Sequence, residues 1–132
     1  MRKLISVGDQ LKHSFQVKSE DLATFEGVTV HRVCSTFVLA REIEWASRQF
    51  VLMTKSDDEE GIGTQLTINH RSPAFLGSTV VITTNLKGFT ENQLICTFQS
   101  KVGDRIIAEG TTGQKLLKKS RIKEIFSTFE KS

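Results

Sequence analysis

The sequence predicts a two-layer α+β domain in which a curved antiparallel sheet packs around one long helix. Three observations predict it. A single extended amphipathic helical pattern runs from Thr36 to about Lys55, period-two strand patterns lie on both sides of it, and turn residues punctuate the chain after His70. At 132 residues the chain is long enough for one domain, 1–132, and folding at this size hides roughly 68–70% of the surface of the unfolded chain. With 38% hydrophobic and 25% charged residues and no repeat or low-complexity tract, the composition excludes a disordered or solenoid protein.

The elements follow in order. Leu11, His13, Phe15 and Val17 alternate with Lys12, Ser14, Gln16 and Lys18, the period of a strand with one wet face. From Ser19 to Val33 the pattern is irregular and reads as a long connection or a short helix. Ser35 or Thr36 is suited to cap the long helix, whose apolar arc comprises Leu39, Ala40, Ile43, Ala46, Ser47 and Phe50. Glu44 lies at the border of that arc. The acidic run Ser56 to Gly61 ends the helix and reads as a solvated turn, without the spaced ligands of a calcium loop. In the next strand Ile62, Thr64, Leu66, Ile68 and His70 share one parity, so the imidazole points to the aliphatic side. Pro73, the only proline, lies in the breaker Ser72 to Gly77. Three strands follow, Ser78 to Leu86, Gln93 to Val102 and Arg105 to Leu117, with turns at Gly88 to Asn92 and Gly103-Asp104. Together with the preceding strand they predict a four-stranded meander. A last helix, Ser120 to Phe129, carries Ile122, Ile125, Phe126 and Phe129 on one stripe behind a serine cap and should dock on the domain or a partner. Uncovered sheet edges predict a homodimer or a dimer of dimers.

Charge and cysteine usage narrow the functional classes. The net charge of +3 is modest, and the basic run Lys115 to Lys123 lacks interleaved aromatics, so nucleic acid is not the expected partner. The apolar opening Met1 to Val7 is cut short by Gly8-Asp9-Gln10, too soon for export, which predicts a cytoplasmic protein with no membrane association. Cys34 and Cys96 then read as reduced core thiols, and no zinc or iron–sulfur spacing is present.

Glu44 and His70 are the candidate chemistry. A carboxylate bordering an apolar helix and a histidine ending an apolar strand are costly to bury without a purpose, and both are placed to turn inward. The N-terminus of the helix at Thr36 adds free backbone N–H groups able to hold a developing oxyanion. Arg41 and Arg48, at i−3 and i+4 from Glu44, offer a structural alternative as ion-pair partners.

These residues resemble a known family. Thr36, followed eight positions later by Glu44-Trp45-Ala46, then Gly63-Thr64 and His70, resembles the fluoroacetyl-CoA thioesterase branch of the hotdog-fold thioesterases, from about Val7 through Gly110-Thr111. The resemblance implies a hotdog fold, a dimer with active sites near the subunit interface, and hydrolysis of an acyl-CoA thioester by a Thr36, Glu44 and His70 triad. No metal is implied and no cofactor, CoA being part of the substrate. Glu44 is then nucleophile or general base, His70 assists proton transfer, and Thr36 positions Glu44 or the substrate. Gly63 and Thr64 join Phe37 as substrate-binding candidates. The lid phenylalanines of the fluoroacetyl-specific enzyme fall opposite Gly27 and Val30, so fluoroacetate selectivity is not implied, and Phe25 and Phe37 are the candidates to line a differently shaped acyl pocket. A non-catalytic acyl-CoA-binding module is the alternative; a hydratase ranks lower, because no Asp-x-x-x-x-His signature lies between residues 57 and 70.

Overall fold

The computed structural model describes residues 4–131; Met1, Arg2 and Lys3 of the signal-like opening lie outside the described residues, as does Ser132. Strand β1 (Gln10–Gln16) is followed by a 3-10 turn at Ser19–Asp21, then β2 (Leu22–Phe25) and β3 (Val28–Cys34). Helix α1 spans Thr36–Thr54, and β4 (Glu59–His70), β5 (Thr79–Thr90), β6 (Gln93–Val102) and β7 (Arg105–Lys118) lead to helix α2 (Lys119–Glu130). The five-stranded antiparallel sheet has the order β1-β5-β6-β7-β4, and β2 and β3 form a separate hairpin.

This is the expected α+β architecture, with three corrections. The irregular stretch after Ser19 is the β2–β3 hairpin, turned at Glu26 and Gly27, both at positive φ (52° and 79°). Two successive left-handed residues match the right-handed twist of the flanking strands. Only β5, β6 and β7 form a meander: β4 pairs with β7 and takes the far edge of the sheet. The acidic run is not all turn, because Glu59, Glu60 and Gly61 already belong to β4, and Glu59 is buried.

The core lies between α1 and one face of the sheet. Leu39, Ile43 and Ala46 meet Ile82, Phe98 and Ile107, while Phe50 and Val51 meet Leu86, Cys96 and Leu116. Both cysteines are free and buried, as expected. Burial pushes the Cys34 thiol up to about 12 and the Cys96 thiol up to about 11, so both stay protonated at neutral pH. A buried hydroxyl pair, Thr112 Oγ1 donating to Ser47 Oγ at 2.9 Å, ties the helix to β7 in the midst of this hydrocarbon.

At the start of α1, Ser35 is the cap: its side chain accepts the Val38 N–H at 3.0 Å. That leaves the Thr36 hydroxyl free for another partner. The serine cap expected at the last helix is absent; Lys118 is the N-cap and makes no side-chain cap bond. In α2, Ile122 and Ile125 are half-buried, while Phe126 and Phe129 are more than half exposed.

Candidate active site

The single parity expected for β4 is broken by a bulge. Gly63 is paired with Gln114 and Gln65 with Gly113, leaving Thr64 as the extra residue. Before the bulge, Gly61 and Gly63 face α1; after it, Leu66 and Ile68 pack on the core and His70 shares their parity. The expectation for Leu66, Ile68 and His70 therefore holds, whereas Ile62 and Thr64 leave that face. The Thr64 hydroxyl instead accepts from Gln93 Nε2 at 3.0 Å.

His70 is half-buried at the end of β4, and its Nδ1 lies 2.8 Å from Thr36 Oγ1 at the first turn of α1. Helix and strand run antiparallel, so their ends meet there. This brings together two of the three predicted residues. It also assigns the Thr36 hydroxyl to the imidazole rather than to Glu44.

Glu44 lies elsewhere. Eight residues along α1 carry it about 12 Å from Thr36 along the helix axis, to a place over Gly63. A Cβ built on Gly63 would stand 2.9 Å from Glu44 Oε1, so it is the missing side chain that lets the carboxylate approach the strand. Glu44 is exposed in the single chain, contrary to the partial burial expected. Its ion-pair alternatives fail as well: Arg48 binds Glu60 at 2.8 Å, and Arg41 binds Glu42 at 3.1 Å and Asp21 at 3.7 Å. Two cavities of about 330 and 300 Å³ are lined by Glu44 and Gly63, and neither is lined by His70. One chain therefore presents two half-sites, Thr36 with His70 at the end of β4 and Glu44 with Gly63 seven residues earlier on the same strand.

The other candidates fall around these two. Phe37, 82% exposed, lines a cavity of about 420 Å³ with Phe25, Leu22 and Val38 beside the first turn of α1. Thr64 lines the smaller Glu44 cavity along with Gln65. Among the described residues no cluster of three or more His, Cys, Asp or Glu side chains could hold a metal ion, and no helix is long and apolar enough to cross a membrane. Sequence reasoning missed Gln114, a buried amide on the same cavity as Glu44. Its only sequence signal was its place in the alternating pattern of β7.

A family model described as fluoroacetyl-CoA-specific thioesterase matches residues 17–120, most of the chain and all three triad candidates. The chain belongs to the fluoroacetyl-CoA-specific thioesterase family. Solved structures similar to it include a Thermus thermophilus hypothetical protein of the thioesterase superfamily, at TM-score 0.89 and 24% identity, covering 98% of this chain and 96% of that one. The fluoroacetyl-CoA thioesterase FlK matches at TM-score 0.84 and 19% identity, over 94% of this chain and 96% of its own, and a mutant of FlK has been solved in complex with acetyl-CoA. A hot-dog-like protein from Thermanaerovibrio acidaminovorans matches at TM-score 0.85 and 14% identity, over 97% and 96%. These likenesses establish the hotdog fold, a long helix held by a curved sheet. No match was found among curated protein sequences. Within the fluoroacetyl-CoA-specific thioesterase family, the fold places Thr36 and His70 at the helix start and Glu44 two turns on.

Proposed function

We propose that this chain hydrolyses an acyl-CoA thioester to the free acid and CoA, as a homodimer whose active sites each draw on both subunits. The observation that carries the reading is the 2.8 Å contact between Thr36 Oγ1 and His70 Nδ1, in a member of a thioesterase family. With the threonine hydroxyl donating to Nδ1, the imidazole carries its proton on Nε2, where it can donate a hydrogen bond into the cleft.

The chemistry follows from these groups. Water adds across the C–S bond. As the water oxygen bonds the carbonyl carbon, Glu44 takes a proton from that water, and the C–S bond breaks with its electron pair leaving on sulfur. The His70 Nε2–H steadies the departing thiolate, which then takes up the proton held by Glu44. Where Glu44 attacks the carbon itself, water hydrolyses the resulting anhydride in a second step. Backbone N–H groups at the start of α1 offer the positive end of the helix dipole to the oxyanion. A thioester is already activated, and base catalysis worth about 10²–10⁴-fold suits the task. The reading uses no metal and no cofactor beyond the CoA of the substrate, and Phe37 and Phe25 lie where an acyl group would be held near His70.

Two half-sites become one site when β4 meets β4 of a second copy. The strand is an edge with a twelve-residue span, and such an edge calls for a partner. Antiparallel self-pairing about a two-fold axis between Leu66 and Thr67 sets each residue opposite the one whose number sums with its own to 133. Gly63 then faces His70 of the partner subunit. Glu44, lying over Gly63, would meet the imidazole that the partner's Thr36 holds. Trp45, Leu52 and Met53, all more than a third exposed on the outer side of α1, supply apolar surface for the same association.

The test is thiol release by the purified dimer from a panel of acyl-CoAs. Glu44→Ala and His70→Ala should each lose about 10²-fold or more of kcat/KM while remaining dimeric. Full activity in either variant removes the assigned role, and intact thioester bound without turnover would make the protein a binding module.

A further inference from the structure

We infer that helix α2 is a surface anchor that lays its apolar stripe into an anionic lipid surface. The inference is independent of the thioesterase reading and concerns an element that the proposed site leaves unused.

The helix buries none of its residues. Ile122 and Ile125 are half-buried, Phe126 is 53% exposed and Phe129 is 72% exposed. At about 100° per residue these four side chains fall within an arc of roughly 100°, so the helix carries one narrow apolar stripe about 18 Å long. Cations stand on both of its borders. Arg121 lies beside Ile125, and Lys119 and Lys123 lie beside Phe126, with Glu130 between them. Ser120, Glu124 and Ser127 occupy the opposite face.

The charge of the whole chain is concentrated here. From Lys118 to Lys131 five cations stand against two anions, an excess equal to the chain's net +3, so the rest of the sequence is balanced. All five cations are exposed. Lys118 pairs with Asp58 and Arg121 with Glu124, each at 3.8 Å, and such exposed pairs are weak. Lys119, Lys123 and Lys131 make no ion pair among the described residues.

This pattern fits a lipid surface better than a protein partner. Lysine is depleted from the centre of protein interfaces, whereas a helix lying in a membrane surface sets Phe and Ile below the headgroups. Its flanking Lys and Arg stems then reach up to the headgroups, where their charge favours anionic lipid. Attachment is from one side, since no helix among the described residues is long and apolar enough to cross a membrane. The expectation of no membrane association is thereby replaced by reversible surface binding, the strength that one short helix supplies.

Sedimentation of the full-length protein with lipid vesicles tests this. Vesicles of mixed phosphatidylglycerol and phosphatidylcholine should be bound about tenfold or more tightly than vesicles of phosphatidylcholine alone, and high salt should weaken that binding. Phe126→Ser combined with Phe129→Ser, and separately Lys119→Gln combined with Arg121→Gln and Lys123→Gln, should each lose about tenfold or more of it. Because α2 buries no residue, both variants should keep the native Tm and oligomeric state. Where the phenylalanine variant does not fold, the charge variant decides. Native protein left in the supernatant overturns the inference, as does equal binding to both vesicle types or full binding by either folded variant. A folded phenylalanine variant that dissociates where the native protein does not would assign the stripe to a second copy of the chain and overturn it too.

Discussion

At the scale of single residues the site depends on what Gly63 lacks. A Cβ there would meet only the tip of the flexible Glu44 side chain, at 2.9 Å. Gly63→Ala should therefore leave thermal stability within about 0.5 kcal/mol of native. It should lower kcat about tenfold or more by displacing the carboxylate, and paired melting curves and initial rates check both halves. Glu42 makes a separate prediction. Its partial burial acts to raise its pKa, but the bonds to His13 at 2.9 Å and Arg41 at 3.1 Å prevail and hold it below the usual glutamate range. A carboxyl depressed in the folded state stabilises at neutral pH, and that contribution disappears as pH falls below the ordinary value of about 4.3. The Tm difference between native protein and Glu42→Gln should thus narrow from about pH 6 to about pH 3. The candidate residues were legible in the sequence: Glu44 and His70 by their places on apolar faces, Thr36 by its place at the helix start, and the three as a set by the family resemblance. Their grouping was not, because it depends on which part of β4 each one reaches.

Among the elements, the long helix was the most legible. Leu39, Ile43, Ala46 and Phe50 recur at helical spacing over about three turns, and Ser35 marks the start. The β2–β3 hairpin was hidden, because its strands are mostly exposed and so carry little apolar alternation. The bulge at Thr64 was hidden too: an extra residue changes the face of everything after it and leaves no mark in composition. The place of β4 beside β7 depends on contacts far apart in sequence. Gly110 shows how close that pairing is, since a Cβ there would lie 1.9 Å from the Thr67 carbonyl oxygen. Main chain cannot yield as a side-chain tip can. Gly110→Ala should cost about 3 kcal/mol or more, visible as a large fall in the urea midpoint. By contrast, Ser35→Ala should cost about 1 kcal/mol, the usual loss for an N-cap hydroxyl.

For the molecule as a whole, the proposed hydrolysis requires each active site to take Glu44 from one subunit and the Thr36–His70 pair from the other. The exposed Phe37 and Trp45, and the open edge of β4, are then surfaces of an assembly rather than defects of a monomer. The most direct measurement is complementation between inactive subunits. Glu44→Ala and His70→Ala chains, each purified without activity, are unfolded together and refolded as mixed dimers. In a mixed dimer one site inherits both lesions and the other inherits neither, so random association should restore about one quarter of native thiol release. Mixed dimers that form yet stay as inactive as their parents would contradict the shared site.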